Sequence, residues 1–249
     1  MLKVRELEKS FGGIKAIDKC SLRVQIGSIT GLIGPNGAGK TTLFNLISGV
    51  YKPDRGQIWF MDDRIDGLPS HQIARKSIAR TFQIPREFKE MTVLENLMLI
   101  PKHQLGENVF NTLFRPVDVR EQEKQIMEKA TSILEFVELA HLKDEYAKSL
   151  SSGQKKLLEL AKMLMSDPRV ILLDEPGAGV NPTLMRKLVE NIEELRQQGI
   201  TFFLIEHDMD LVTYLCDKVI VMNKGRTMAE GTPHEIKKDK NVLEAYLGS

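Results

Sequence analysis

Residues 29–41 read ITGLIGPNGAGKT: an apolar run breaks into Gly34-Pro35-Asn36-Gly37-Ala38-Gly39-Lys40-Thr41 and passes through Thr42 into a helical pattern over residues 42–48. Strand, glycine-rich turn and helix in that order are the setting in which a P-loop sequence has physical meaning. Glycines let successive backbone N–H groups approach and surround a phosphate, and the following helix adds the positive end of its dipole. Lys40 supplies a point charge for β- and γ-phosphates, and the Thr41 hydroxyl suits Mg²⁺. A chance glycine-rich turn is the alternative, and its placement between strand and helix argues against it. The expected cofactors are ATP and Mg²⁺, with residues 34–42 around the phosphates.

A second stretch, VILLDEP at residues 170–176, is an apolar strand ending in two carboxylates. Asp174 is placed to hold Mg²⁺ at the carboxyl edge of a sheet, where open α/β folds receive ligands. Glu175 is placed to take a proton from an attacking water. The plain alternative is a strand that ends at solvent on two charges, and the upstream P-loop weighs against it.

Apolar runs at residues 28–33, 170–173, 201–205 and 218–222 predict buried parallel strands. Asn181 and Pro182 open a helix between two of them, Leu184, Leu188, Ile192 and Leu195 line its inner face, and Gly199 closes it. Strands alternating with helices predict a doubly wound sheet. Residues 1–27 and about 56–82 alternate like half-exposed strands (LKVREL, LRVQI, QIWFMD), which predicts a small, mainly antiparallel β region. Residues 84 to about 165 read as helical, with Ile126, Ala130, Ile133, Leu134 and Val137 on one face of a long helix.

The 249 residues carry 35 basic and 34 acidic side chains, a formal charge of +1, which excludes the global basic field of a nucleic-acid binder. Cys20 and Cys216 belong to no CxxC pair and the five histidines show no metal-ligand spacing, so a reducing cytoplasm is expected. The N-terminal MLKVRELEKS is too charged for a signal peptide, and no apolar run approaches the roughly 20 residues that span a bilayer. Any membrane role is expected to come through partners.

Leu150-Ser151-Ser152-Gly153-Gln154 stands 20 residues before Asp174 and precedes a helix carrying Leu157, Leu160, Ala161 and Leu164. Ser151 with Gln154 forms a capping box, which leaves a helix N-terminus able to face an anion; a simple helix cap is the bland reading. With the motifs in this order the chain resembles the ATP-binding cassette (ABC) family, whose signature is usually written LSGGQ. The resemblance implies an α/β fold with a RecA-like P-loop NTPase sheet core, a small antiparallel β region and an inserted helical subdomain. One ABC ATP-binding domain would then cover residues 1–249, with 1–83 and 166–249 forming the β region and core and 84–165 the helical subdomain. It further implies that Ser151, Ser152, Gly153 and Gln154 of one subunit close on the γ-phosphate held by another, in a head-to-tail dimer.

Three more residues take their roles from this resemblance. Gln83 in ARTFQIP fills the Q-loop position, implied to touch Mg²⁺ and the lytic water. His207 at the end of TFFLIEH fills the H-loop position, implied to hydrogen-bond the γ-phosphate, although a lone histidine at a strand end is more often structural. Phe11 is implied to stack on adenine, with a core-facing phenylalanine as the alternative. Two positions depart from the family pattern: Ser152 replaces the first signature glycine, and Asn181 stands where the D-loop normally ends in aspartate. Neither touches Lys40, Asp174 or Glu175, so hydrolysis is expected to survive.

Within the family, QIARKSIARTFQIPREFKEMTVLENLML, the insertion KHQLGENVFNTLFRP, DEPGAGVNP and the terminal EAYLG are most similar to the LivG-type ATPases of branched-chain amino-acid importers. The implied partners are transmembrane permease subunits, a second ATPase subunit, identical or homologous, and, indirectly, an extracytoplasmic solute-binding protein. The implied place is peripheral, on the cytoplasmic face of the cell membrane. Urea importers and lipopolysaccharide exporters share parts of this pattern. A soluble ABC ATPase acting on ribosomes or nucleic acid would bring fused cassettes or a long coiled coil, and the chain has neither. Phe110 and Phe114 in the insertion are expected to tuck beneath the helical subdomain rather than meet a partner.

Overall fold

A computed structural model of the chain describes residues 1–81, 87–102 and 104–247. The first part of the chain runs β1 (Leu2–Phe11), β2 (Ile14–Val24), β3 (Ile29–Ile33), α1 (Lys40–Ile47), β4 (Arg55–Phe60), β5 (Asp63–Arg64), α2 (Ser70–Arg75) and β6 (Ile78–Arg80). Helices follow: α3 (Val93–Met98), α4 (Val109–Phe114), α5 (Pro116–Phe136) and α6 (Ser152–Leu164). The chain then alternates through β7 (Val170–Asp174), α7 (Pro182–Gln197), β8 (Thr201–Ile205), α8 (Met209–Leu215), β9 (Lys218–Asn223), β10 (Arg226–Gly231), α9 (Pro233–Lys238) and α10 (Lys240–Leu247).

Two compact units emerge. The first combines the residues up to Arg80 with Arg169–Ala178 and the chain from Ile192 onward, and the second takes the stretch between Arg80 and Arg169 together with Gly179–Asn191.

In the first unit a six-stranded sheet has the order β10-β9-β3-β8-β7-β6. The four runs rich in Val, Ile, Leu and Phe become β3, β7, β8 and β9, which pair in parallel, as strands buried on both faces do. Register places the site. Leu32 of β3 and Asp174 of β7 both pair with Ile205 of the intervening β8, so the P-loop and the paired carboxylates leave the sheet at the same level, at its carboxyl edge.

A second, antiparallel sheet has the order β2-β1-β4-β5. The alternation over residues 56–82 had placed β6 in this sheet, and the structure corrects that: β6 pairs in parallel with β7 as the edge of the six-stranded sheet. As a three-residue edge strand with only Ile78 buried, β6 is too short for its period to tell the two sheets apart. One core joins both sheets to α1, with Leu2, Leu7 and Ile58 from the antiparallel sheet, Leu43, Phe44 and Ile47 from the helix, and Leu172, Phe203 and Ile220 from the parallel sheet.

The second unit is helical. Ile126, Ala130 and Leu134 of α5 are buried, as are Leu97 of α3 and Leu157, Leu158, Leu160 and Ala161 of α6. Phe110 and Phe114 do not tuck beneath it. Both are 73% exposed, and their rings stack on each other at 6.4 Å. They lie four residues apart on one face of a six-residue helix, so they meet each other, and only Asn111 of α4 is half-buried.

Candidate active site

The P-loop geometry requires its glycines. Gly34 has φ 150° and a Cβ there would lie 2.1 Å from the Met222 carbonyl oxygen; at Gly39, φ 101°, it would lie 2.5 Å from that of Ala16. Backbone thus packs directly on backbone and leaves the loop's outer side, with Asn36 and Gly37, exposed. The α1 N-terminus, like those of α2 and α5, receives no side-chain cap, whereas α3, α4, α6, α8 and α9 each receive one. An anion is the natural cap for such an end. Lys40 folds over the loop, its Nζ donating to the carbonyls of Gly34 at 2.6 Å and Pro35 at 3.0 Å. Burial lowers its pKa, and the charges of Glu175 and Asp174 only partly oppose that shift. Thr41, next along, is exposed.

Asp174 ends β7 almost fully buried, and burial raises its pKa while Arg80, ion-paired to Oδ2 at 3.2 Å, opposes the rise. Glu175 then turns sharply, with φ 51°. A non-glycine residue in that region carries roughly 1–2 kcal/mol of strain, and such strain persists where neighbours over-determine it. Here the Glu175 N–H donates to Ile205 O at 3.0 Å, and Glu175 Oε1 lies 2.7 Å from His207 Nε2.

Sequence reasoning missed Glu206. Buried at the end of β8, it accepts from Gly177 N–H at 2.7 Å and His207 N–H at 3.1 Å, tying the turn after Glu175 to the backbone of His207. A carboxylate closing an otherwise apolar strand, LIEH, is the signal that could have revealed it. Tyr246 of α10 also went unread; its hydroxyl hydrogen-bonds the backbone of Gly34, and burial raises its pKa.

The structure therefore brings together Lys40, Asp174, Glu175 and His207. Phe11, at the end of β1, is 42% exposed with its ring edge-on to Tyr51 at 5.1 Å, so it does not face the core. Gln83 lies outside the described residues. Ser151 to Gln154 belong to the second unit, where the capping box is formed: Ser151 Oγ accepts from Gln154 N–H and Gln154 Oε1 from Ser151 N–H. Ser152 Oγ donates to Gly179 O at 3.2 Å, and Asn181 Oδ1 accepts from Leu184 N–H at 3.0 Å, so both departures from the family pattern serve local hydrogen bonds.

Thr41 and Asp174 are hard oxygen donors. Among the described residues no group of three or more His, Cys, Asp or Glu forms an all-protein metal cage. That donor set fits Mg²⁺, which takes one or two protein oxygens and completes its shell with phosphate and water.

A profile of the ABC transporter family matches residues 17–178, a span that holds the P-loop, the signature segment, Asp174 and Glu175. The chain belongs to the ABC transporter ATP-binding family. Residues 226–249 match a second profile, described as branched-chain amino acid ATP-binding cassette transporter. This ABC ATPase is 44% identical to the "Probable branched-chain amino acid transport ATP-binding protein LivG" of Archaeoglobus fulgidus, over 100% of this chain and 96% of that protein. It is 43% identical to the high-affinity branched-chain amino acid transport ATP-binding protein BraF of Pseudomonas aeruginosa, over 100% and 98%. Among solved structures, a nucleotide-free ATP-binding cassette from an ABC transporter superposes with TM-score 0.86 at 40% identity, over 100% of this chain and 99% of that one. Another, the ADP conformation of an ATP-binding cassette of an ABC transporter, gives 0.84 at 39% over 100% and 99%. Among the described residues of this ABC ATPase, no helix is long and apolar enough to cross a membrane.

Proposed function

We propose that this ABC ATPase is the ATP-hydrolysing subunit of a membrane importer for branched-chain amino acids, working peripherally on the cytoplasmic face beside permease subunits. The observation that carries the chemistry is the meeting of Lys40, Asp174, Glu175 and His207 at one edge of the sheet. Full-length similarity to branched-chain amino acid transport ATPases supports the substrate class.

In this reading residues 34–42 and the α1 N-terminus receive the phosphates, Lys40 leaves the loop carbonyls for the γ-phosphate, and Phe11 offers a ring to adenine. Thr41 and Asp174, with Gln83, hold Mg²⁺. When bound, Mg²⁺ supplies charge neutralisation at the β- and γ-phosphate oxygens. Glu175 accepts the proton of the attacking water, and His207 fixes its carboxylate. Ser151, Ser152, Gly153 and Gln154 act on nucleotide held by a second ATPase subunit, and a solute-binding protein delivers the amino acid to the permease.

Uptake in cells tests the reading. Deleting this chain should abolish uptake of leucine, isoleucine and valine, and wild type but not Lys40→Ala should restore it. Normal amino-acid uptake with loss of urea uptake, or a protein that sediments with ribosomes rather than with the membrane, would overturn it.

A further inference from the structure

Arg80 closes β6 opposite Leu172 of β7, with a side chain only 9% exposed. A guanidinium cannot shed its charge on burial, so its partners must hold it. Nη1 donates to Asn45 Oδ1 at 2.7 Å and to Ser48 Oγ at 2.8 Å, Nη2 to Asp174 Oδ2 at 3.2 Å, and the Cζ lies 5.7 Å from the centre of the Phe44 ring. Asn45 lies in α1 and Ser48 caps its C-terminal end, so the helix that starts at the P-loop also grips the arginine.

A counter-ion that only neutralised Asp174 would need Asp174 alone. The two contacts to α1 add nothing to charge balance; they fix the plane and position of the guanidinium fork. Because one fork nitrogen then holds one carboxylate oxygen, the direction of the other oxygen is fixed too. We propose that Arg80 is a positioning residue for metal-dependent nucleotide binding, a brace between α1 and β7 that aims the Asp174 carboxylate. The proposal rests on the reading of Asp174 as the Mg²⁺-holding carboxylate. Groups that orient a metal-binding side chain typically change metal affinity by about 10- to 100-fold when removed.

The test uses binding rather than turnover: titration of the full chain with a fluorescent ATP analogue across a Mg²⁺ series and in EDTA, with thermal midpoints recorded. Arg80→Lys keeps the charge but loses the fork. It should raise the Mg²⁺ concentration needed for half-maximal binding by about tenfold and leave affinity in EDTA unchanged. Asn45→Ala/Ser48→Ala keeps both charged partners and removes the anchor, together with the Ser48 Oγ bond to the Phe44 carbonyl within α1, and it should shift the Mg²⁺ requirement in the same direction; if Arg80→Lys does not fold, this double variant decides. Asp174→Asn must itself raise the Mg²⁺ requirement. A response to Asp174→Asn with wild-type Mg²⁺ dependence in the brace variants would overturn the role of Arg80. Equal losses with and without Mg²⁺ in the brace variants would show a structural ion pair and overturn it as well. No response to Asp174→Asn would sink the site reading, and the proposal with it.

Discussion

His207 Nε2 and Glu175 Oε1 lie 2.7 Å apart across the ends of the adjacent strands β8 and β7. The contact exists because Glu175 takes a left-handed turn and because Glu206 clamps the backbone on both sides, at Gly177 and at His207. His207→Ala should therefore leave Glu175 unaimed while sparing the phosphate-binding residues. Steady-state phosphate release is expected to fall by roughly a hundredfold or more, with nucleotide affinity within about twofold of wild type. Equal losses in affinity and rate would place His207 in binding instead.

Ser151 and Thr232 head similar capping boxes, on α6 and α9. Ser151→Ala and Thr232→Ala should each cost about 1 kcal/mol of stability, measured by denaturant unfolding. Only Ser151→Ala should also depress hydrolysis, which in the wild type should rise more than linearly with protein concentration because the signature segment serves a second subunit. Full activity in Ser151→Ala would reduce that segment to a helix cap.

Phe203 of β8 is fully buried, its ring 5.0 Å from that of Phe44 on α1. Phe203→Ala should destabilise the protein by about 3–5 kcal/mol, seen as a lower denaturant midpoint with an unchanged slope. A loss below about 1 kcal/mol would mean that α1 and the sheet are less tightly joined than these contacts imply.

Acid should loosen the first unit through Asp18 and Asp54. The hydrogen bond from Arg226 holds the Asp18 carboxyl below its ordinary pKa, and those from Lys9 and the Ser10 N–H do the same for Asp54. For carboxylates with a depressed folded pKa, the contribution is present above the unfolded value near 3.9 and is lost as pH falls through the folded one. Unfolding midpoints should hold from pH 7 to about 4 and drop below it, with a flatter acid limb in Asp18→Asn/Asp54→Asn. An identical acid limb in that double variant would remove both pairs from the account.

What could be read before folding was local. The strand–glycine–helix order around Lys40, the carboxylate pair closing β7 and the Asn181 cap each involve residues a few positions apart, and each forms in the structure. Gly179–Asn191 packs with the helical unit although sequence distance places it with the core, and β6, three residues long, was too short to reveal its sheet. LIEH could have flagged Glu206 as a buried carboxylate, but not its pairing, and Arg80 was hidden for the same reason: the partners Gly177 and Asp174 lie 29 and 94 residues away in the chain, and no local pattern encodes such pairings. The fate of Phe110 and Phe114 turned on a helix too short to bury both rings.

The most direct test of the central claim is phosphate release and nucleotide-dependent assembly of Glu175→Gln. The amide matches the carboxylate in shape but cannot accept a proton, while Lys40, Thr41 and Asp174 are unchanged. Turnover is predicted to fall by roughly a hundredfold to ten-thousandfold with ATP binding retained, and size-exclusion chromatography is predicted to show a longer-lived dimer with ATP and none with ADP. Near wild-type phosphate release from this variant would contradict the account by removing Glu175 from the reaction.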